Sequence, residues 1–233
     1  MIRTGALPLA ASVVLGAVAG FVDAVSFGRL FEVFPANQSG NAVLLGIGLG
    51  EAAGAEIWRP AAAMVGYALG VIAAVVLRRW GGVRRPGRLL IGVEVILLAI
   101  VVGVVGSLVA VDEPLGGLGG ATLLLLTAGA MGLQTEVIRT HAGVALSTTY
   151  QTGALTTMAE RVVAASEGGA DERRASVAPL TILAVVLVGY IGGAAIGARL
   201  ADDWGWALVV PVVALAALAI TEPWWDRGGT ATT

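Results

Sequence analysis

Long apolar runs are the feature that most restricts what this chain can fold into. A helix needs about 20 apolar residues to cross a hydrocarbon core of about 30 Å, and six runs reach or nearly reach that length. They lie near residues 6–27, 60–77, 89–111, 118–138, 177–198 and 206–221. The chain is 57% hydrophobic and 13% charged, whereas soluble domains carry about 25% charged residues. We therefore expect an all-α polytopic transmembrane helical bundle that forms a single membrane domain over residues 1–233.

Two further segments are too short to cross. Residues 37–50 and 149–158 are rich in small residues and polar at their N-terminal ends. At about 1.5 Å per residue, the first of them reaches only about 21 Å. We expect both to be re-entrant half-helices, which enter the membrane and return to the side from which they came.

The two halves of the chain are related by a sequence repeat. Polar and glycine positions recur in the same order at a shift of 113 or 123 residues: Asp23 with Glu136, Gln38 with Gln151, Ser39 with Thr152, Tyr67 with Tyr190 and Gly70 with Gly193. Chance alignment of alanine- and glycine-rich helices is the alternative, and the ordered series argues against it. Residues 1–114 are then the first repeat and 115–233 the second. Because the first apolar run corresponds to residues 118–138, we expect a structural helix there and not a cleaved signal peptide.

The placement of arginine indicates an orientation, because cytoplasmic loops are enriched in basic residues. If six helices cross and both termini are inside, eleven arginines are cytoplasmic and only Arg29, Arg59 and Arg199 are outside. If both short segments also cross, the better orientation gives eight against six, which is no bias. Each half then has three crossings, so the halves form a 3+3 inverted repeat. We expect the bacterial cytoplasmic membrane, with both termini cytoplasmic.

Two polar stretches carry a family resemblance. The run GFVDAVSFGRLFEVFPANQSGNAVLLG at 20–46 and the run GLQTEVIRTHAGVALSTTYQTGALT at 132–156 resemble the signatures of the YoaK-like family of bacterial membrane proteins. The resemblance covers essentially the whole chain, although Ala154 stands where the first half has Asn41. It implies a polytopic membrane protein and no particular substrate or reaction.

Three acidic residues lie within the apolar segments, where a charge costs about 2.5–3.5 kcal/mol on insertion scales. Asp23 and Glu136 each precede a short segment at the same repeat position. They could face one central cavity and there accept a proton or a cation. The alternative is that each pairs with a nearby arginine, Arg29 or Arg139. Glu94 is a third suspect, and its alternative is to reach the cytoplasmic interface.

The starts of the short helices form the second candidate site. Asn37 is a good N-cap, and a half-helix that begins inside the membrane presents free backbone N–H groups to an anion or a polar group. The alternative is that the polar groups there satisfy only their own backbone. Two matching tyrosines beside glycines would line the cavity or cap the bundle. The predicted substrate-binding residues are Asp23, Asn37, Gln38, Ser39, Asn41, Tyr67, Glu136, Thr149, Gln151, Thr152 and Tyr190.

These features favour a transporter or channel for a small polar or anionic solute, with proton coupling as an option. The alternative is a membrane scaffold or assembly protein that transports nothing. We expect no enzyme, catalytic residue, metal site or cofactor, because the chain has no cysteine and one histidine. The expected partners are the lipid bilayer and an unidentified small molecule or ion, with a homo-oligomer left open. A net charge of −2 gives no reason to expect nucleic acid.

Overall fold

The computed structural model describes residues 9–51, 57–80, 86–110, 117–141 and 151–221, and every regular element within those ranges is helical. The all-α prediction is confirmed for this part of the chain. A five-residue π-helix, Ser26–Leu30, continues α1, and a 3₁₀ turn, Ala201–Asp203, joins α7 to α8. The α-helices are α1 Leu9–Val25, α2 Gln38–Gly50, α3 Trp58–Trp80, α4 Pro86–Ala110, α5 Gly117–His141, α6 Gln151–Glu167, α7 Ala170–Leu200, α8 Trp204–Ala207 and α9 Val209–Thr221.

Five of the described helices are long and apolar enough to cross a membrane, namely α1 with its π-helix, α3, α4, α5 and α7. The last predicted span is shorter, because α8 and α9 divide the apolar stretch Gly205–Ile220 between them. Pro211 accounts for the division. It has no amide hydrogen to donate to the carbonyl of Ala207, and proline is tolerated only within the first turn of a helix such as α9.

Rows of large apolar side chains face outward from the bundle. On α3 they recur at helical spacing along one face, at Val65, Leu69, Ile72 and Val76, and α4 and α7 carry similar rows. In water such continuous exposed apolar surface would favour association, whereas in lipid it is well solvated and helices satisfy their own backbone groups. The chain is a helical membrane protein.

Two pairs of helices approach each other closely along glycines, and the first pair is α1 with α7. A Cβ built on Gly16 would lie 2.6 Å from the carbonyl oxygen of Val186, and one built on Gly20 would overlap the carbonyl of Tyr190. The contact moves forward by four residues on both helices, so α1 and α7 run parallel. Small residues permit such backbone contact between membrane helices.

The second close pair is α3 with α5. A Cβ on Gly66 would lie 2.7 Å from the carbonyl oxygen of Leu125, and one on Gly70 would overlap the carbonyl of Gly129. The advance is again four residues on both helices, so this pair is also parallel. Around the two pairs, α4 packs against α5 and α9, and α9 also contacts α1.

The two short segments differ in length. The first, α2, has the predicted bounds and packs against α3. The second, α6, runs nine residues beyond Met158 to Glu167 and packs mainly against α7. The predicted end at Met158 is wrong because apolarity marked it, whereas the helix continues through alanine, glutamate and arginine, which are good helix formers.

Candidate functional site

The polypeptide folds back on itself between α1 and α2. The amides of Phe31 and Glu32 both donate to the carbonyl of Ser26, at 2.9 and 3.3 Å. Glu32 has a φ of 57°, a left-handed conformation that is uncommon for a residue other than glycine. The rings of Phe27 and Phe34 stack with their centroids 4.6 Å apart. Residues 31–37, which we call the return turn, therefore lie against α1.

Asp23 connects α1, the return turn and α7. It is 2% exposed, and its Oδ1 accepts a hydrogen bond from the amide of Ala36 at 2.6 Å. Its Oδ2 accepts one from the hydroxyl of Tyr190, also at 2.6 Å. A carboxyl group removed from water needs donors of this kind. Arg29, the predicted alternative partner, forms an ion pair with Asp202 instead.

Asn41 holds the return turn against the start of α2. Its side chain is fully buried. Its Oδ1 accepts from the amide of Phe34 at 2.9 Å, and its Nδ2 donates to the carbonyl of Phe34 at 2.6 Å and to Oε1 of Gln38 at 3.0 Å. Gln38 in turn donates to the carbonyl of Pro35 at 2.8 Å. Both predicted site residues thus bond within their own segment.

Asn37 is the N-cap of α2, as predicted. Its Oδ1 accepts from the amide of Gly40 at 3.4 Å and from the hydroxyl of Ser39 at 2.8 Å. These contacts satisfy helix-start groups that would otherwise have no partner. For Asn37 and Ser39 as well, the described contacts match the alternative in which polar groups serve the local backbone.

Glu136 occupies the equivalent repeat position to Asp23 but has different partners. It is 3% exposed, with Oε1 3.1 Å from the guanidinium of Arg78 and Oε2 3.6 Å from that of Arg139. The pairing with Arg139 that the sequence offered as an alternative is formed, and Arg78 of α3 lies nearer still. Two cations neutralise this buried carboxylate, which makes it an ion-pair site.

The matching tyrosines also differ in their contacts. Tyr190 donates to Asp23 across the α1–α7 pair. Tyr67 donates to the hydroxyl of Thr135 at 2.8 Å across the α3–α5 pair, and Thr135 donates to the carbonyl of Met131 at 3.1 Å. Each tyrosine therefore bonds to the helix that its own helix contacts most closely, and only Tyr190 belongs to the Asp23 site.

Asp23 and Glu136 lie toward opposite ends of the bundle. The return turn beside Asp23 is joined to the start of α3 by an ion pair between Glu32 and Arg59 at 3.1 Å. Glu136 is instead paired with Arg78, nineteen residues further along α3, which is about 28 Å away along the helix axis. The two carboxyl groups therefore do not face one central cavity, contrary to the expectation from the repeat.

The candidate residues of the second half are placed only in part. Gln151 and Thr152 lie in the first turn of α6, and Thr149 lies outside the described residues. The idea that the two short helices face each other at their starts stays a prediction.

Sequence reasoning missed a cavity of about 440 Å³ between the π-helix, the return turn, α2 and the start of α3. Its volume lies in the usual range of small-molecule sites. Its walls come from separate stretches of sequence, so no single motif marked it. The available signal was an acidic residue on each side of α2 and a basic one just after it. The cavity is lined mainly by apolar residues such as Phe31, Val33, Leu44 and Ile47, together with Glu32, Glu51 and Arg59.

Comparison with known proteins gives a family and one partial relative. A model described as "Protein of unknown function (DUF1275)" matches residues 11–221. The "UPF0700 transmembrane protein YoaK" of Bacillus subtilis (strain 168) is 37% identical over 59 residues, which cover 25% of this chain and 26% of that protein. The match thus spans about a quarter of the relative. No solved structure matches.

Proposed function

The chain belongs to the DUF1275 family of proteins of unknown function, and from that starting point we propose that it is a transporter or channel for a small polar solute. The observation that carries the proposal is the cavity of about 440 Å³, one wall of which is the return turn. That turn is held inside the bundle by the hydrogen bond from Ala36 to Asp23. A mostly apolar pocket with a few polar groups is the usual form of a small-ligand site.

The charges around this site favour a polar solute without net negative charge. The positive end of the α2 dipole would attract an anion, but the Asp23 carboxyl and the Asn37 side chain already meet the amides there. The cavity wall carries two acidic residues, Glu32 and Glu51, and one basic residue, Arg59. The anionic solute that the sequence left open is therefore the weaker choice.

For topology, we propose six crossing segments and two re-entrant helices, α2 and α6. The ion pair between Glu32 and Arg59 supports this for α2, because it brings the start of α3 next to the end of α1. A helix that left from that end and crossed the membrane would have delivered α3 to the opposite side. By the arginine count, the side that carries this ion pair is the outer one and both termini are cytoplasmic.

The inverted repeat is supported by the packing of the two close pairs. If α1 corresponds to α5 and α3 to α7, a two-fold axis exchanges the α1–α7 pair with the α3–α5 pair. The matched glycines Gly70 and Gly193 both contact the backbone of the partner helix. Asp23 and Glu136 at opposite ends are also what such an axis in the membrane plane requires. Transporters are often built from repeats of this kind.

Cysteine labelling tests the re-entrant path of α2, and the chain has no cysteine of its own to interfere. Glu32→Cys and Glu51→Cys flank α2 at exposed positions, and Arg79→Cys lies at the exposed end of α3. A membrane-impermeant maleimide applied to intact cells should modify residues 32 and 51, and residue 79 only after the membrane is opened. Labelling of residues 32 and 51 from opposite sides would show that α2 crosses.

Filling the cavity tests the transport proposal. Leu44→Trp adds a large ring where the side chain lines the cavity, so solute entry should fall by about tenfold or more, equivalent to about 1.4 kcal/mol. The measurement is swelling of proteoliposomes in a panel of small polar solutes, accompanied by thermal shifts of the purified protein with the same panel.

Leu45→Trp is the matched control, because it makes the same change on the same helix at a residue that does not line the cavity. It should leave both readouts near those of the unaltered protein. Equal loss in the two variants would point to a general disturbance of α2. If no solute enters faster than in empty vesicles, the transport proposal fails.

The second candidate is a membrane scaffold or assembly protein. It is favoured by one observation, that Asn37, Gln38 and Asn41 are used within their own turn. On that hypothesis the cavity is incidental, and Leu44→Trp and Leu45→Trp would behave alike. We also propose that the chain is not an enzyme, because one histidine and no cysteine leave few groups for acid–base or nucleophilic chemistry.

A further inference from the structure

Three acidic side chains are buried in the bundle, and one of them has no partner. Asp23 accepts two hydrogen bonds and Glu136 lies beside two guanidinium groups. Glu94 is 0% exposed, and neither of its carboxyl oxygens has a hydrogen-bond partner among the described residues. It therefore differs from the two acids that the repeat had singled out.

Glu94 does not reach the membrane interface. It lies eight residues after Pro86, the first residue of α4, which is about 12 Å along the helix. Its full burial contradicts the alternative in which it extends to the cytoplasmic surface. Helices α3, α5, α8 and α9 pack against α4. Its carboxyl group is therefore enclosed by protein.

The groups around Glu94 offer no charge to balance a carboxylate. Helices α8 and α9 contain no ionisable residue. On the described side chains of α3 and α5, Arg78 and Arg139 are engaged with Glu136, and the exposed Arg88 is six residues away on α4 itself. The remaining ionisable residues of α3 are Arg59, Tyr67 and Arg79.

Two other buried oxygens without a partner lie at the same level of the bundle. Helices α4 and α5 are joined by residues 111–116 and pack against each other, so they run antiparallel. Glu94, sixteen residues before the end of α4, then lies level with residue 133, next to Gln134. Gln134 donates from Nε2 to the carbonyl of Leu15, and its Oε1 is without a donor. Ser12 Oγ, one turn from Leu15 on α1, also lacks a partner.

A cluster of acceptor oxygens without donors favours an added hydrogen. An isolated carboxylate in this environment would cost several kcal/mol, whereas the neutral acid has an O–H to donate. We propose that Glu94 is the proton-binding site of this protein, at the level of Gln134 and Ser12. The acid releases its proton to water and becomes a carboxylate when the helices around it separate. Coupling of this proton to a solute rests on the proposed transport function, whereas the proton site itself does not.

Infrared spectroscopy of the purified full-length protein tests the site without any solute. The carbonyl band of a protonated carboxylic acid should be present at neutral pH, disappear reversibly at alkaline pH, and be absent in Glu94→Gln. Glu136→Gln and Glu51→Gln should keep the band, because one removes a paired carboxylate and the other an exposed one. A band that persists in Glu94→Gln, or that does not respond to pH, would overturn the proposal.

Labelling with dicyclohexylcarbodiimide gives an independent readout. A protonated carboxyl adds across one C=N bond of this reagent, and an apolar reagent reaches acids inside the membrane. Mass spectrometry should find the adduct on Glu94, with a rate that falls about tenfold per pH unit once the acid titrates. Protection by sodium at constant pH would mean that a metal cation and not a proton is bound. An adduct on Asp23 alone would return the site to that residue. A band and adduct at Glu94 without any transport would leave the proton site standing and the transport proposal refuted.

Discussion

Gly193→Ala is expected to lower the free energy of unfolding by about 2 kcal/mol or more, because overpacking of a close contact typically costs about 1–3 kcal/mol. A Cβ at this position would overlap the backbone of Ala17 on α1. Backbone atoms cannot turn aside as the end of a flexible side chain can, so α1 and α7 would have to separate. The measurement is reversible unfolding in mixed micelles titrated with sodium dodecyl sulfate.

Gly192→Ala provides the matched control one residue earlier on α7. A Cβ there meets no atom within 4 Å, and both variants gain the same helix propensity, about 1 kcal/mol relative to glycine. The difference between them therefore isolates the close approach of α1. Equal stability of the two variants would mean that the helices do not pack at Gly193. If the inverted repeat is correct, Gly70→Ala should behave like Gly193→Ala, because it meets the backbone of Gly129.

The sequence predicted the helical elements well because lipid imposes a simple rule on length and polarity. It located the starts and ends less well. Hydropathy marks only the apolar part of a helix, whereas hydrogen bonding continues through charged residues that favour helix. For this reason α7 begins at Ala170, about seven residues before its predicted start, and α6 continues past Met158. The division between α8 and α9 depends on Pro211, which the apolar average concealed.

The candidate site was predictable only at the level of single residues. Asp23 was identifiable because an acid in an apolar run is costly, but its partner Tyr190 lies 167 residues away. The repeat suggested equal roles for Asp23 and Glu136. Their partners differ because α3 ends in arginines, which reach Glu136, and no arginine takes that place at Asp23. Glu94 has no repeat counterpart, so only its burial without a partner made it the strongest proton site.

Asp23→Ala is expected to destabilise the protein by about 2–6 kcal/mol, since it leaves two donors, each worth about 1–3 kcal/mol, unsatisfied in the interior. These donors are the amide of Ala36 and the hydroxyl of Tyr190. The same bonds hold the return turn against α1 and α7. Asp23→Asn should lose less, because an amide oxygen still accepts from Ala36. Unfolding in mixed micelles measures both variants.

A double-mutant cycle then tests whether Asp23 and Tyr190 act as a pair. Tyr190→Phe alone removes one bond and should cost about 1–3 kcal/mol, because a neighbouring acceptor is left bare. In the double variant, Asp23→Ala with Tyr190→Phe, no hydroxyl remains without an acceptor, so the loss should be smaller than the sum of the single losses. A coupling energy of about 0.5–3 kcal/mol is expected for groups in contact. Strict additivity would mean that the hydroxyl does not bond to Asp23, and the link between α7 and the return turn would then have to come from other contacts.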